Sequence, residues 1–195
     1  MRGPRHILRA LRRDERGSIS VESVIVFPLL IWAYIATYVY FDAFRVVSLN
    51  DKSAFAIGDL LSRQTSLVTG PYLDSMLRVH ELMTQDPEDV RLRLSSVLWD
   101  ADAGAYEVVW STTRGGGTAL QDADLASGGA LDGRMPIMSD RERVIVVEAW
   151  RPFTPPFEVG LDPIDFYSFN TISPRYASRL CYDVLGTGDL NDAAC

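Results

Sequence analysis

From Ser23 to Phe41 the chain reads SVIVFPLLIWAYIATYVYF, nineteen residues without a formal charge. No other feature limits the fold as strongly. At about 1.5 Å per residue such a run nearly crosses a hydrocarbon core about 30 Å thick. In that medium every backbone N–H and C=O needs an internal partner, so the run is predicted to be a membrane-spanning helix. A secretory signal has a shorter apolar core, about 7–15 residues, and a small-residue cleavage site. Here the run ends in Tyr38, Tyr40, Phe41 and Asp42 instead. A buried core helix is the other alternative, but aromatic residues crowd the distal end and arginines the proximal one, as at the two interfaces of a bilayer. Pro28, near the start, is expected to kink the helix.

Charge is divided unevenly around this run. Residues 1–17 hold Arg2, Arg5, Arg9, Arg12, Arg13 and Arg16 against Asp14 and Glu15, a balance of +4, so the rest carries −11 of the total of −7. A basic leader beside an apolar run favours cytoplasmic retention of the N-terminus, which places the acidic remainder across the membrane. An acidic body of this kind repels phosphate backbones, which argues against nucleic-acid binding.

The segment Arg16-Gly17-Ser18-Ile19-Ser20-Val21-Glu22 sets a glycine at the end of the leader and a carboxylate at the mouth of the apolar helix. An acid within a membrane helix costs about 2.5–3.5 kcal/mol at the centre and less near the ends, so it usually has a partner. Cleavage after Gly17 creates one, since the new α-amine of Ser18 would stand four residues before Glu22, on the same side of a helix. Glycine suits a cleavage site because its backbone presents itself without side-chain obstruction. The bland alternative is an uncleaved single-pass anchor in which these residues fall together by chance.

Gly17, Ser18 and Glu22, with the helix that follows, resemble the class III leader of type IV prepilins. Within that superfamily the segments RGSISVESVIVFPLL and DAFRVVSLNDKSAFAIGDLLSRQT, with a later strand running into Trp150-Arg151-Pro152-Phe153, look like TadE/TadF-type minor pseudopilins of tight-adherence (Flp) pili. The resemblance covers about the first third of the chain and loosens beyond it. Ser23 stands where major Flp pilins carry tyrosine, and Ser18 where many type IV pilins begin with phenylalanine, which disfavours a major pilin. The resemblance implies cleavage by prepilin peptidase, assembly through Glu22, and other pilins, pseudopilins and inner-membrane platform proteins as partners.

Downstream, Phe44, Val47, Ala54, Ile57 and Leu61 recur at helical spacing among charged residues, predicting an amphipathic continuation to Gln64, with a bend at Gly58. Gly70-Pro71 is expected to break the chain before a second helix, Tyr72 to Gln85, with Leu73, Met76, Leu77, His80 and Met83 on one side. After Asp86-Pro87 the period changes to two. Val90 to Trp99 and Tyr106 to Thr112 read as a hairpin, followed by a Gly-rich surface loop over 111–133 that is expected to be mobile. A third strand spans Arg143 to Trp150, ended by Pro152, Pro155 and Pro156, and a fourth lies within Asn170 to Tyr182. The expected fold class is α+β, a small antiparallel sheet packed on a long helix. The domains are then a cleaved leader over 1–17, a transmembrane helix over 18–41, and an extracytoplasmic domain over 42–195.

Cys181 and Cys195 both follow the membrane run and fall on its oxidising side, so a disulfide is expected, with two free thiols as the alternative. Catalytic chemistry finds little support. His6 lies in the leader, which leaves His80 without a second imidazole for a metal site, and Asp100, Asp102 and Gly104 lack the remaining ligands of a calcium loop. Gly115-Gly116-Gly117 lacks the lysine of a phosphate loop. No cofactor or metal is expected, and an enzyme is the weakest reading, confined to one that uses carboxylates alone. A membrane-bound minor pseudopilin is the leading expectation, and an uncleaved envelope scaffold or binding domain is the alternative.

Overall fold

The computed structural model describes residues 18–85 and 89–195. The leader, Gly17 included, lies outside the described residues. Helix α1 runs unbroken over Ser18–Ser62, 45 residues or about 67 Å at helical rise. Pro28 lies inside it, with helix on both sides. Helix α2 covers Gly70–Thr84, and strands β1 Arg91–Asp100, β2 Ala105–Arg114, β3 Arg143–Phe153 and β4 Ile164–Ile172 form one antiparallel sheet in the order β2-β1-β3-β4. A short helical turn, α3, occupies Asp122–Leu125. The class is α+β with a long apolar N-terminal helix. The chain divides into two compact units, one containing the helix up to Ala43 with Pro155–Asp162, the other Phe44–Thr154 with Pro163–Cys195.

In the second unit α1 buries Val46, Asn50, Ser53, Ala54, Ile57 and Leu61, a stripe at three- and four-residue spacing. Phe44, expected on this face, is 70% exposed, and Val47 is half-buried. The stripe passes through two polar residues, so a search for apolar period alone misplaces its first turn. Gly58 marks a close approach within a continuing helix: a Cβ there would stand 3.4 Å from Asn170 Nδ2 and 3.5 Å from Ile172 Cγ2 of β4.

Gly70 and Pro71 belong to the first turn of α2, where proline's missing N–H costs nothing. Thr69 caps it by accepting a hydrogen bond from the Tyr72 N–H, and Gln85 ends it in a left-handed conformation. One sheet face carries Leu92, Leu94, Trp110, Ile145, Val147 and Ala149 and forms the main core with α1 and α2. The register with β2 shifts between Ser96 and Val97, where β2 carries the extra residue Val109, and strand alternation places Val97 with its partner Val144 on the other face.

That second face is covered by the connection between β2 and β3. Leu120, Leu125, Leu131 and Met138 are buried there against Val97, Val144 and Val146. Asp122 Oδ1 accepts from the Val108 N–H at 2.7 Å, fastening α3 to β2. The Gly-rich stretch expected as a surface loop is therefore partly a packed cover, built on apolar residues spaced too irregularly to register as an element. Only glycine serves at position 115, where φ is +75° and a Cβ would lie 2.2 Å from the Val90 carbonyl oxygen.

Two strand boundaries differ from expectation. Strand β3 continues through Pro152 to Phe153, because β1 has already ended opposite Trp150 and leaves one side of β3 open there. Strand β4 is Ile164–Ile172, earlier than the expected 170–182, with Ser173-Pro174 following its end. The segment beyond is held by single contacts: Val68 N–H to Cys181 O at 2.9 Å, the Tyr182–Ala194 bridge, and Trp110 Nε1–H to Leu180 O at 2.8 Å. Cys181 and Cys195 are bonded, with S–S 2.08 Å.

Candidate functional site

Three arrangements combine polar chemistry with a defined position. The first is the start of α1. Val24, Ile25, Phe27, Leu29, Leu30, Ile31 and Trp32 are all exposed, so the helix is apolar all round, as a lipid-facing helix is. It is the single helix among the described residues long and apolar enough to cross a membrane. Ser18 is the first described residue of this helix, and Glu22, exposed, stands one turn on, on the same side. Gly17, the third residue expected here, lies outside the described residues.

The second arrangement is a polar array on the sheet's outer face. Alternation that sends Leu92 and Leu94 inward sends Arg91 and Arg93 outward, and the register sets Arg93 opposite Glu148 and Arg91 opposite Trp150. Glu148 is fully buried and accepts three hydrogen bonds: from Arg93 Nε at 2.5 Å, Arg93 Nη2 at 2.7 Å and Tyr167 Oη at 2.7 Å. Burial works against the Arg93 charge, but bonding to Glu148 and its negative charge prevail and raise the guanidinium pKa. Burial, followed by donation to Glu148, raises the Tyr167 phenol above its usual range. Arg91 pairs with Asp165, and both guanidinium groups lie over Trp150, at 5.7 and 5.4 Å from its centroid. A cavity of about 170 Å³ opens beside them, lined also by Thr113, Gly116, Gly117 and Thr118. Each cation at its wall already faces a carboxylate, so the array favours structural cross-linking of β1, β3 and β4 over capture of an anion. Sequence reading missed it. The alternating Arg-Leu-Arg-Leu pattern was the available signal, but nothing linked it to Glu148 before the register was known.

The third arrangement is a buried polar layer between α1, α2 and β3. Ser53 Oγ lies 2.7 Å from the Asn50 carbonyl oxygen and 2.6 Å from His80 Nδ1. A carbonyl can only accept, so the serine proton points to Asn50 and the imidazole donates from Nδ1. His80 Nε2 then carries the lone pair, buried and without a hydrogen-bond partner among the described residues. Burial, reinforced by the positive charge of Arg151, lowers the His80 pKa from 6.5 to about 4. His80 is thus a neutral core residue, fixed by Ser53, while Asn50 Nδ2 donates to Ala149 O at 3.3 Å.

Elsewhere Asp100 Oδ1 accepts from the backbone N–H groups of Ala103 and Asp102, the first of which does most to lower its pKa. That carboxylate caps its own hairpin turn. Comparisons of the chain with protein-family models, with curated proteins and with solved structures give no match.

Proposed function

We propose that the chain is a minor pseudopilin-like subunit of a tight-adherence type IV pilus system, cleaved after Gly17 by prepilin peptidase and assembled through its N-terminal helix. The observation that carries this reading is α1 itself. Its 45 described residues expose apolar side chains on every side over the first half and dock the second half on an antiparallel sheet. Those are the two tasks of a pilin helix, lateral packing in lipid or filament and support of a globular head. Glu22 answers the freed Ser18 amine of its own or a neighbouring subunit and so sets the axial register. The basic leader keeps the N-terminus in the cytoplasm and the head outside the inner membrane, an oxidising location that suits the Cys181–Cys195 bond.

Mass spectrometry of the membrane protein, produced with and without prepilin peptidase, tests the assignment. Loss of residues 1–17 only when the peptidase is present is the expected result. An intact leader in its presence leaves a tethered envelope domain and removes the pseudopilin reading. Glu22→Ala tests the register mechanism separately, because it should abolish incorporation into pili while leaving cleavage intact.

A further inference from the structure

The segment between β3 and β4 has a composition that the strands do not explain. Pro155-Pro156-Phe157-Glu158-Val159-Gly160-Leu161-Asp162 groups with the apolar half of α1 in one compact unit. Along that half the side chains are exposed almost throughout, yet Val39 is 0% exposed and Ala43 is buried, although Tyr38, Tyr40 and Phe41 beside them are exposed. The other described segment of the unit is this loop, and its Val159 is buried as well. A stripe on the helix at the spacing of Ala36, Val39 and Ala43 is shielded, with Ala36 already half-buried. Phe157 is left 50% exposed, held by a preceding Pro-Pro pair that limits the loop's freedom.

Val39 and Ala43 bracket the end of the uncharged run at Phe41. That level is the membrane interface if α1 spans a bilayer, and it is where aromatic residues concentrate. We propose that the loop Pro155–Asp162 is a second membrane contact, with Phe157 inserted among the lipid headgroups beside α1. This rests on the reading that α1 crosses the membrane. The loop holds Glu158 and Asp162 and no lysine or arginine, so the contact is apolar and does not select anionic lipid. Zwitterionic phosphatidylcholine is the sufficient surface.

The full chain carrying Phe157→Cys, its native disulfide intact, is labelled with an environment-sensitive fluorophore and reconstituted in phosphatidylcholine nanodiscs. Leu30→Cys, within the apolar run, is labelled in parallel. Lipids bearing a nitroxide near the headgroup should quench the position-157 label, whereas aqueous iodide quenches it little. Nitroxides deep in the acyl chains should quench the position-30 label. If the position-30 label is quenched by lipid but the position-157 label only by iodide, the loop contact is wrong and the spanning helix stands. If neither is quenched by lipid, the membrane reading fails and the loop contact with it. Glu158→Cys, at an exposed neighbouring position, repeats the measurement should the first variant misfold. Equal quenching in discs containing phosphatidylglycerol is the expected lipid dependence, and a requirement for the anionic lipid overturns the apolar mechanism.

Discussion

Acidification should weaken the head through His80. In the folded chain its imidazole stays neutral to about pH 4, because the ring is buried, with Nε2 lacking a hydrogen-bond partner among the described residues, and the positive charge of Arg151 opposes a proton; unfolded, it takes a proton near pH 6.5. Between those values the unfolded chain binds more protons, so stability is complete above pH 6.5, falls as the pH drops through the window, and levels off below the folded value. At about 1.4 kcal/mol per pH unit, the interval from 6.5 to about 4 corresponds to a loss of about 3 kcal/mol. Other groups titrate in the same range, so the quantity to measure is the difference between the native chain and His80→Gln, which cannot titrate there. Urea unfolding in nanodiscs, followed by tryptophan fluorescence between pH 7 and pH 4, supplies both curves. The native chain should lose about 3 kcal/mol more than the variant. Parallel curves, or an NMR titration that puts the His80 midpoint near 6.5, would refute the argument.

Glu148→Ala should cost about 3–5 kcal/mol, since it strands the Arg93 guanidinium and the Tyr167 hydroxyl; a loss below about 1 kcal/mol in the same unfolding assay means the array is solvated. Reduction of Cys181–Cys195 opens a fifteen-residue loop and should lower stability by about 3 kcal/mol, so an unchanged urea midpoint under reductant excludes a role for the bond. Gly58→Ala places its methyl at ordinary contact distance from Asn170 and Ile172 and should be neutral or stabilising by up to about 1 kcal/mol. Gly58→Val adds branches that meet those side chains and should cost about 1–3 kcal/mol, and equal stability of the two variants counts against close docking of α1 on the sheet.

Periodicity made part of this architecture readable in advance. The uncharged run and the spacing of Ala54, Ile57 and Leu61 located α1, and the alternation of Val90, Leu92 and Leu94 located β1, because each pattern follows from local backbone geometry. Failures occurred where tertiary partners replaced local pattern. Asn50 and Ser53 occupy core positions because the Ala149 carbonyl takes the Asn50 Nδ2 proton and His80 bonds Ser53, which no window on α1 can reveal. Leu120, Leu125, Leu131 and Met138 have no common period, since each descends from an irregular connection onto the sheet. Strand β4 lies earlier than the expected 170–182, where the chain forms only isolated bridges, because the strand mixes Ile164, Phe166, Tyr167 and Phe169 on both faces and so shows no clean alternation. Of the candidate sites, the start of α1 was visible in residue types alone, whereas the Glu148 array depends on cross-strand register.

Strand order β2-β1-β3-β4 has a kinetic consequence. The hairpin of β1 and β2 closes across a few residues, but the seam between β1 and β3 joins Leu98 to Arg143 and Arg91 to Trp150, partners 45 and 59 positions apart. Closing loops of that size costs entropy before any pairing rewards it, so the hairpin forms early and the seam governs the rate at which the head matures. Until β3 arrives, β1 carries an unpaired edge, and a nascent chain held at that stage is open to strand addition by a neighbour.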